Sequence, residues 1–278
     1  MTMPSPALPS PYRYGPLAIF LAATLVNFLP LGERRFEDDA QTLVTVAGYA
    51  FSIWGVIFLG LIGFSLLLAR GREPDTPSLR RATIGLVVAG IASIAFVPIS
   101  IGGDQVLGFL DVLVHLLALV YAYTHLRRHV AATPGARSRG EAFWFYGPSM
   151  YLAWISAATV IAASLALEQL GVEVGVQASI ALACALVIVL LAVARRFEAE
   201  ADNVYGLTVA WALVGLGVEQ SPLPVLRYLA WAAAAVLVVN ATLRASRGHY
   251  GFYATPGYET DDPLASTPSR STTSSVPS

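Results

Sequence analysis

The sequence predicts an all-α integral membrane protein of about eight transmembrane helices, and three observations predict it. The 278 residues are 56% hydrophobic and only 13% charged, whereas soluble domains average about 45–50% apolar and about 25% charged. The apolar residues gather into blocks, several of them at least 18 residues long without a charge. Such a block matches a hydrocarbon core of about 30 Å at about 1.5 Å rise per residue. Only a helix satisfies its own backbone at that depth. The third observation is the placement of arginine, which alternates with the blocks.

The proline-rich segment Met1–Pro16 reads as an unstructured lead. Leu17–Leu31 follows as helix 1; its flank holds only Arg13 and no small-x-small site precedes Glu33, so it is kept as a membrane helix rather than a cleaved signal. The apolar blocks then predict helix 2 at Val44–Leu68, helix 3 at Ala82–Ile101, helix 4 at Val106–Tyr123 and helix 5 at Phe143–Leu167. Helix 6 is expected at Val174–Val193, a short helix 7 at Val204–Val218 and helix 8 at Leu223–Leu243. Gly102-Gly103 and Gly171 mark turns. Twelve of the last 16 residues are Ser, Thr or Pro, a composition unable to bury a core, so 249–278 is expected to be disordered. The organisation is thus a lead (1–16), a five-helix unit (17–167), a three-helix extension (168–248) and a tail.

All 17 basic residues are arginine, and 14 of them fall on one side of this arrangement. The other side holds Arg34, Arg35 and Arg227, the first two offset by Glu33, Glu37, Asp38 and Asp39. Positive residues favour the cytoplasmic face. The expected location is therefore the cell membrane, multi-pass, with both termini cytoplasmic. The weak point is helix 7, which is short for a span.

Composition excludes several functions. A net charge of −1 offers no basic field for nucleic acid. Without lysine, no Schiff base to retinal or pyridoxal can form. Cys184 stands alone in an apolar block and reads as a small hydrophobe. No Ser-His-Asp order, phosphate-cradling glycine loop or zinc-binding His-Glu pattern occurs, so an enzyme is not expected.

Helix 2 opens Ala47-Gly48-Tyr49-Ala50-Phe51-Ser52-Ile53-Trp54-Gly55-Val56-Ile57-Phe58, and helix 5 carries Tyr151-Leu152-Ala153-Trp154-Ile155-Ser156-Ala157-Ala158. Helix 3 contributes Ser93-Ile94-Ala95-Phe96-Val97-Pro98. In order and spacing these segments resemble the TspO/MBR family of tryptophan-rich sensory proteins over residues 15–167. Phe58 stands where the family usually has tyrosine, Met150 replaces a proline and Ala162 an asparagine. The longer relatives carry extra helices like 6 to 8. The resemblance implies a TspO-like bundle of helices 1–5 with an aromatic pocket for a planar hydrophobic ligand. Relatives bind tetrapyrroles such as haem or protoporphyrin, and sterols. It points to Tyr49, Phe51, Trp54, Phe58, Phe96, Tyr151, Trp154 and Ala158 as ligand-binding. No covalently held cofactor is implied; haem or porphyrin enters only as a ligand. The bilayer and a hydrophobic small molecule are the expected partners, and a homodimer is compatible with them.

The residues carry a reading of their own. Tyr151, Trp154 and Ala158 share one face of helix 5, and Phe51, Trp54 and Phe58 form a matching stripe on helix 2. Facing each other, the stripes form an apolar slot; turned otherwise, they pack or form an interfacial belt. In helix 4, Asp111 and His115 are spaced i, i+4, with Asp104 two turns earlier. An aspartate at membrane depth faces the interior and needs a partner. The pair is a structural contact, a ligand anchor or a proton relay; two ligands without a third make no metal site. Asn27 and Asn240 read as interhelical hydrogen-bond partners. The sequence thus supports a membrane receptor or sensor for a planar hydrophobic molecule, with proton-coupled transport through Asp111 and His115 as the alternative.

Overall fold

The computed structural model describes residues 8–29, 42–133, 137–172, 176–199 and 202–247. Residues 1–7, Glu33–Asp39 and the expected tail at 249–278 lie outside the described residues. The helices are α1 (Ser10–Phe28), a short 3₁₀ turn (Gly48–Ser52) leading into α2 (Ile53–Ala69), α3 (Pro77–Gly102) and α4 (Gln105–Ala132). They continue with the short α5 (Arg139–Trp144), α6 (Tyr146–Gln169), α7 (Val176–Ala199), α8 (Asn203–Glu219) and α9 (Pro224–Ser246). With α5 and α6 taken together, the described residues form eight main helices in the expected order. Six are long and apolar enough to cross a membrane. The chain is an all-α integral membrane protein.

The two remaining helices fall short for different reasons, α8 in length and α1 in apolarity. α8 has 17 residues, about 26 Å at 1.5 Å per residue, and most of its residues are buried against protein. α1 is lengthened by a polar first turn. The expected unstructured lead is corrected here: the helix starts at Ser10, because a proline in the first turn lacks only an N–H that would be unpaired anyway. Arg13 Nε then donates to the Ala69 carbonyl at 2.9 Å, fixing the start of α1 to the end of α2. α3 and α4 also exceed their expected lengths. Asp104, two turns before Asp111, is the exposed N-cap of α4, accepting from the Leu107 N–H at 2.9 Å. Gly103 and Gly171 close turns at φ +73° and +71°, where the sequence placed them.

α3 packs along α4, α4 against α6, and α1 against both α3 and α2. α8 lies between α6 and α9 and ties the C-terminal helices to the rest. Trp211 Nε1 donates to the Ala50 carbonyl at 2.9 Å, and Ala47 N–H to the Gly215 carbonyl at 3.1 Å. The deepest tie is Asp202, the fully buried N-cap of α8. Its carboxylate accepts from Tyr123 Oη of α4 at 2.8 Å, Ser149 Oγ of α6 at 2.5 Å and the Tyr205 N–H at 3.1 Å. An ionisable group removed from water persists when its lone pairs are met in this way. Asn240 donates to the buried Glu198 at 2.6 Å and joins α9 to α7, the interhelical role expected of it. Nearer the C-terminal end of α4, Arg137 forks onto the buried Glu73 at 2.9 and 2.6 Å beside His129.

α2 and α6 approach most closely at Gly60 and Gly147. A Cβ placed on Gly147 would lie 2.5 Å from the Gly60 carbonyl carbon and 2.6 Å from its oxygen. Small residues permit this backbone contact, the usual basis of helix association in lipid. Gly147→Ala is therefore expected to push the helices apart and lose about 1–3 kcal/mol, read as a lowered Tm of the solubilised protein. An unchanged Tm contradicts the contact.

Candidate functional site

Beyond the glycine contact, α2 and α6 are separated by aromatic rings, and a cavity of about 500 Å³ opens between them. Phe51 and Trp154 meet edge-to-face at 5.6 Å between centroids, and Trp54 and Trp154 at 6.4 Å. Trp54 also stacks on Phe58 at 5.5 Å and meets Tyr151 edge-on at 5.7 Å. Edge-to-face pairs satisfy the ring quadrupoles and hold the indoles without filling the space in front of them.

Six of the ten residues expected at the site lie on the cavity wall: Phe51, Trp54, Phe96, His115, Trp154 and Ala158. The other four stand off it. Phe58 and Tyr151 are buried behind Trp54, and Tyr151 Oη donates to the Ala89 carbonyl at 3.2 Å. The two stripes therefore do both things allowed by their spacing: some rings pack and the others face the void. Tyr49 is 45% exposed and packs edge-on against Trp211, because the 3₁₀ turn rotates it away from the helical stripe. Asp111 sits one turn behind His115 on α4.

Several wall residues were not anticipated. Val112 comes from α4, and Ile161, Ala162 and Leu165 continue the Trp154–Ala158 face of α6. That continuation follows from helical spacing and was legible. Asn27, read only as a structural partner, is one as well as a wall residue: its Nδ2 donates to Ser93 Oγ at 3.2 Å, and Ser93 also lines the cavity. Ser100 adds a further hydroxyl. The mouth is bounded by Phe28 and Leu29 at the end of α1, by Thr45 and by Glu219 at the end of α8. Thr42–Gly48 is strung across this end, held by Ser164 Oγ on Thr42 Oγ1 at 3.0 Å and by Gln220 Nε2 on the Thr42 carbonyl at 3.1 Å. No sequence signal marked Glu219, a lone acid at a helix end.

His115 is the most polar feature of the inner wall and is 2% exposed. Its Nδ1 lies 3.2 Å from the Asp111 carbonyl oxygen and 3.2 Å from the Asp111 carboxylate. Its ring meets Tyr151 edge-on at 5.9 Å. No third side chain able to ligate a metal joins the pair among the described residues. The arrangement can hold a flat apolar body against indole and phenyl faces while offering it one imidazole nitrogen.

A protein-family model described as TSPO-like protein matches residues 15–243. The match continues past the fifth predicted helix, where the sequence resemblance was drawn to end, and reaches almost to the end of α9. No curated protein and no solved structure matches the chain.

Enlarging side chains separates void from core. Ala158 faces the cavity, whereas Ala153 is wholly buried in packed protein. Ala158→Phe is expected to change stability by less than about 1 kcal/mol, because the ring enters empty space. Ala153→Phe is expected to cost about 3 kcal/mol or to prevent folding. Thermal unfolding of the two variants checks this, and equal losses contradict a void at Ala158.

Proposed function

The chain belongs to the TSPO-like protein family, and from that premise we propose that it is a membrane receptor or sensor whose ligand is a flat hydrophobic molecule of tetrapyrrole or sterol kind, held between α2 and α6. The observation that carries the reading is the cavity of about 500 Å³ walled by Phe51, Trp54, Phe96 and Trp154. Ligand sites for small molecules fall at about 300–1,000 Å³ and are mostly apolar with a few placed polar groups. Such a ligand partitions into the bilayer first, so a site among helices suits its path of arrival. The proposed contribution is binding: the wall offers ring faces and one imidazole, and among the described wall residues no nucleophile stands beside a base.

The alternative is proton-coupled transport through the cavity, favoured by His115 on the cavity wall with the Asp111 carboxylate 3.2 Å behind it. It requires proton-driven uptake that disappears in Asp111→Asn. Equilibrium binding without uptake favours the receptor.

Protoporphyrin titration of the purified protein tests the receptor reading directly. Saturable quenching of tryptophan fluorescence at micromolar porphyrin is expected. Ala158→Phe, which leaves every tryptophan in place, should weaken it at least tenfold. Absence of saturable quenching, or quenching indifferent to Ala158→Phe, goes against the proposal.

A further inference from the structure

We infer that the cavity selects ligands carrying an N–H or O–H donor, because Nε2 of His115 is a hydrogen-bond acceptor built into the wall with no partner among the described residues. This deepens the binding proposal above and rests on it.

The polar groups of the wall differ in what they leave available. Asn27 Nδ2 is engaged with Ser93 and with the Ala23 carbonyl at 2.9 Å. Ser100 Oγ donates to the Val97 carbonyl at 2.7 Å. Thr45 Oγ1 is paired with Thr42 at 3.1 Å. His115 Nε2 is buried, and among the described residues it has no hydrogen-bond partner. Among the described residues it is the buried, unpartnered side-chain atom on the cavity wall; Asp111 Oδ2, one turn behind it, is also without a hydrogen-bond partner but does not line the cavity, and others, such as Glu198 Oε1 and Trp231 Nε1, lie elsewhere in the bundle.

The role of Nε2 follows from the other ring nitrogen. Nδ1 faces two oxygens of Asp111, the main-chain carbonyl and the carboxylate, each at 3.2 Å. The Asp111 carbonyl, which can only accept, places the imidazole proton on Nδ1, an assignment made from the hydrogen-bond network, and the nearby carboxylate favours the same side without itself being hydrogen-bonded. A neutral imidazole with its proton on Nδ1 presents a lone pair at Nε2. The edge-on contact with Tyr151 and the position of Asp111 one turn back hold the ring in this orientation. A buried acceptor without a donor is an unmet demand, and a ligand that supplies the donor gains over an isostere that does not. The selected class is flat, apolar and equipped with a ring N–H or a hydroxyl. A carboxylate set directly against Nε2 would bring its charge beside that of Asp111 and is disfavoured there, so the propionates of a porphyrin must point away from this nitrogen.

Three tricyclic probes of nearly equal shape test this on the full-length protein: carbazole, which carries an N–H; dibenzofuran, which lacks it; and dibenzofuran-4-carboxylate, which is anionic. Binding is read by tryptophan quenching in the wild type and in His115→Leu. The expected result is carbazole binding at least tenfold tighter than dibenzofuran in the wild type, the carboxylate weakest, and the carbazole preference lost in His115→Leu with dibenzofuran unchanged. Equal binding of carbazole and dibenzofuran by the wild type overturns the donor inference while leaving the cavity as a binding site. Tightest binding of the carboxylate overturns it too, since Nε2 would then be a donor. Failure of all three to bind overturns the cavity reading itself. The wild-type comparison stands without the variant, so a misfolded His115→Leu does not shield the inference.

Discussion

The backbone contact between Gly60 and Gly147 sets the geometry on which the site depends. Two helices can touch without side chains between them only where both lack a Cβ, and there α2 and α6 do so. Further toward the end of α6 the same helices carry Phe51, Trp54, Trp154 and Ile155, which are too large to allow the approach to continue. The helices are pinched at one level and wedged at the other. Because the wedging rings meet edge-to-face rather than stacking flush, the wedge is hollow. The void is thus a product of residue size along two helices, not of any special backbone.

The second constraint is the internal satisfaction of polar groups in a medium with no water to meet them. Asp202 answers it by gathering donors from α4, α6 and α8, and Glu198 by taking a donor from α9. These ties make the last three helices part of the cavity's support. α8 fixes the segment leading into α2 through Trp211 and Gly215, and its final turn places Glu219 at the mouth. The five-helix unit expected from the sequence therefore does not build its site alone. A family match that runs to residue 243 agrees with that dependence.

Much of this was legible from residue order. Apolar blocks gave the eight main helices, glycines their turns, and helical spacing placed Trp54, Trp154 and Ala158 on a common wall. The remainder turned on facts that spacing does not carry. Pro11 looked like a breaker but stands in the first turn of α1, where proline is tolerated. Tyr49 was expected at the ligand site from the family resemblance, yet it lies in the 3₁₀ turn at Gly48–Ser52 and packs against Trp211. Asp202 gave no signal, since an acid between two apolar blocks reads as a loop charge until the fold shows three donors converging on it. Asp104, noted beside the Asp111–His115 pair without a role, is an exposed cap.

The central claim is that ring-bearing faces of α2 and α6 enclose open space inside the bundle. An experimental structure of the protein in a lipid environment, resolved well enough to place the indoles, measures this most directly. The account predicts Trp54, Trp154 and the His115 imidazole around a space of several hundred Å³, a volume suited to a small-molecule ligand. Indoles turned outward to lipid, or closed flush against one another with no space between, would contradict it.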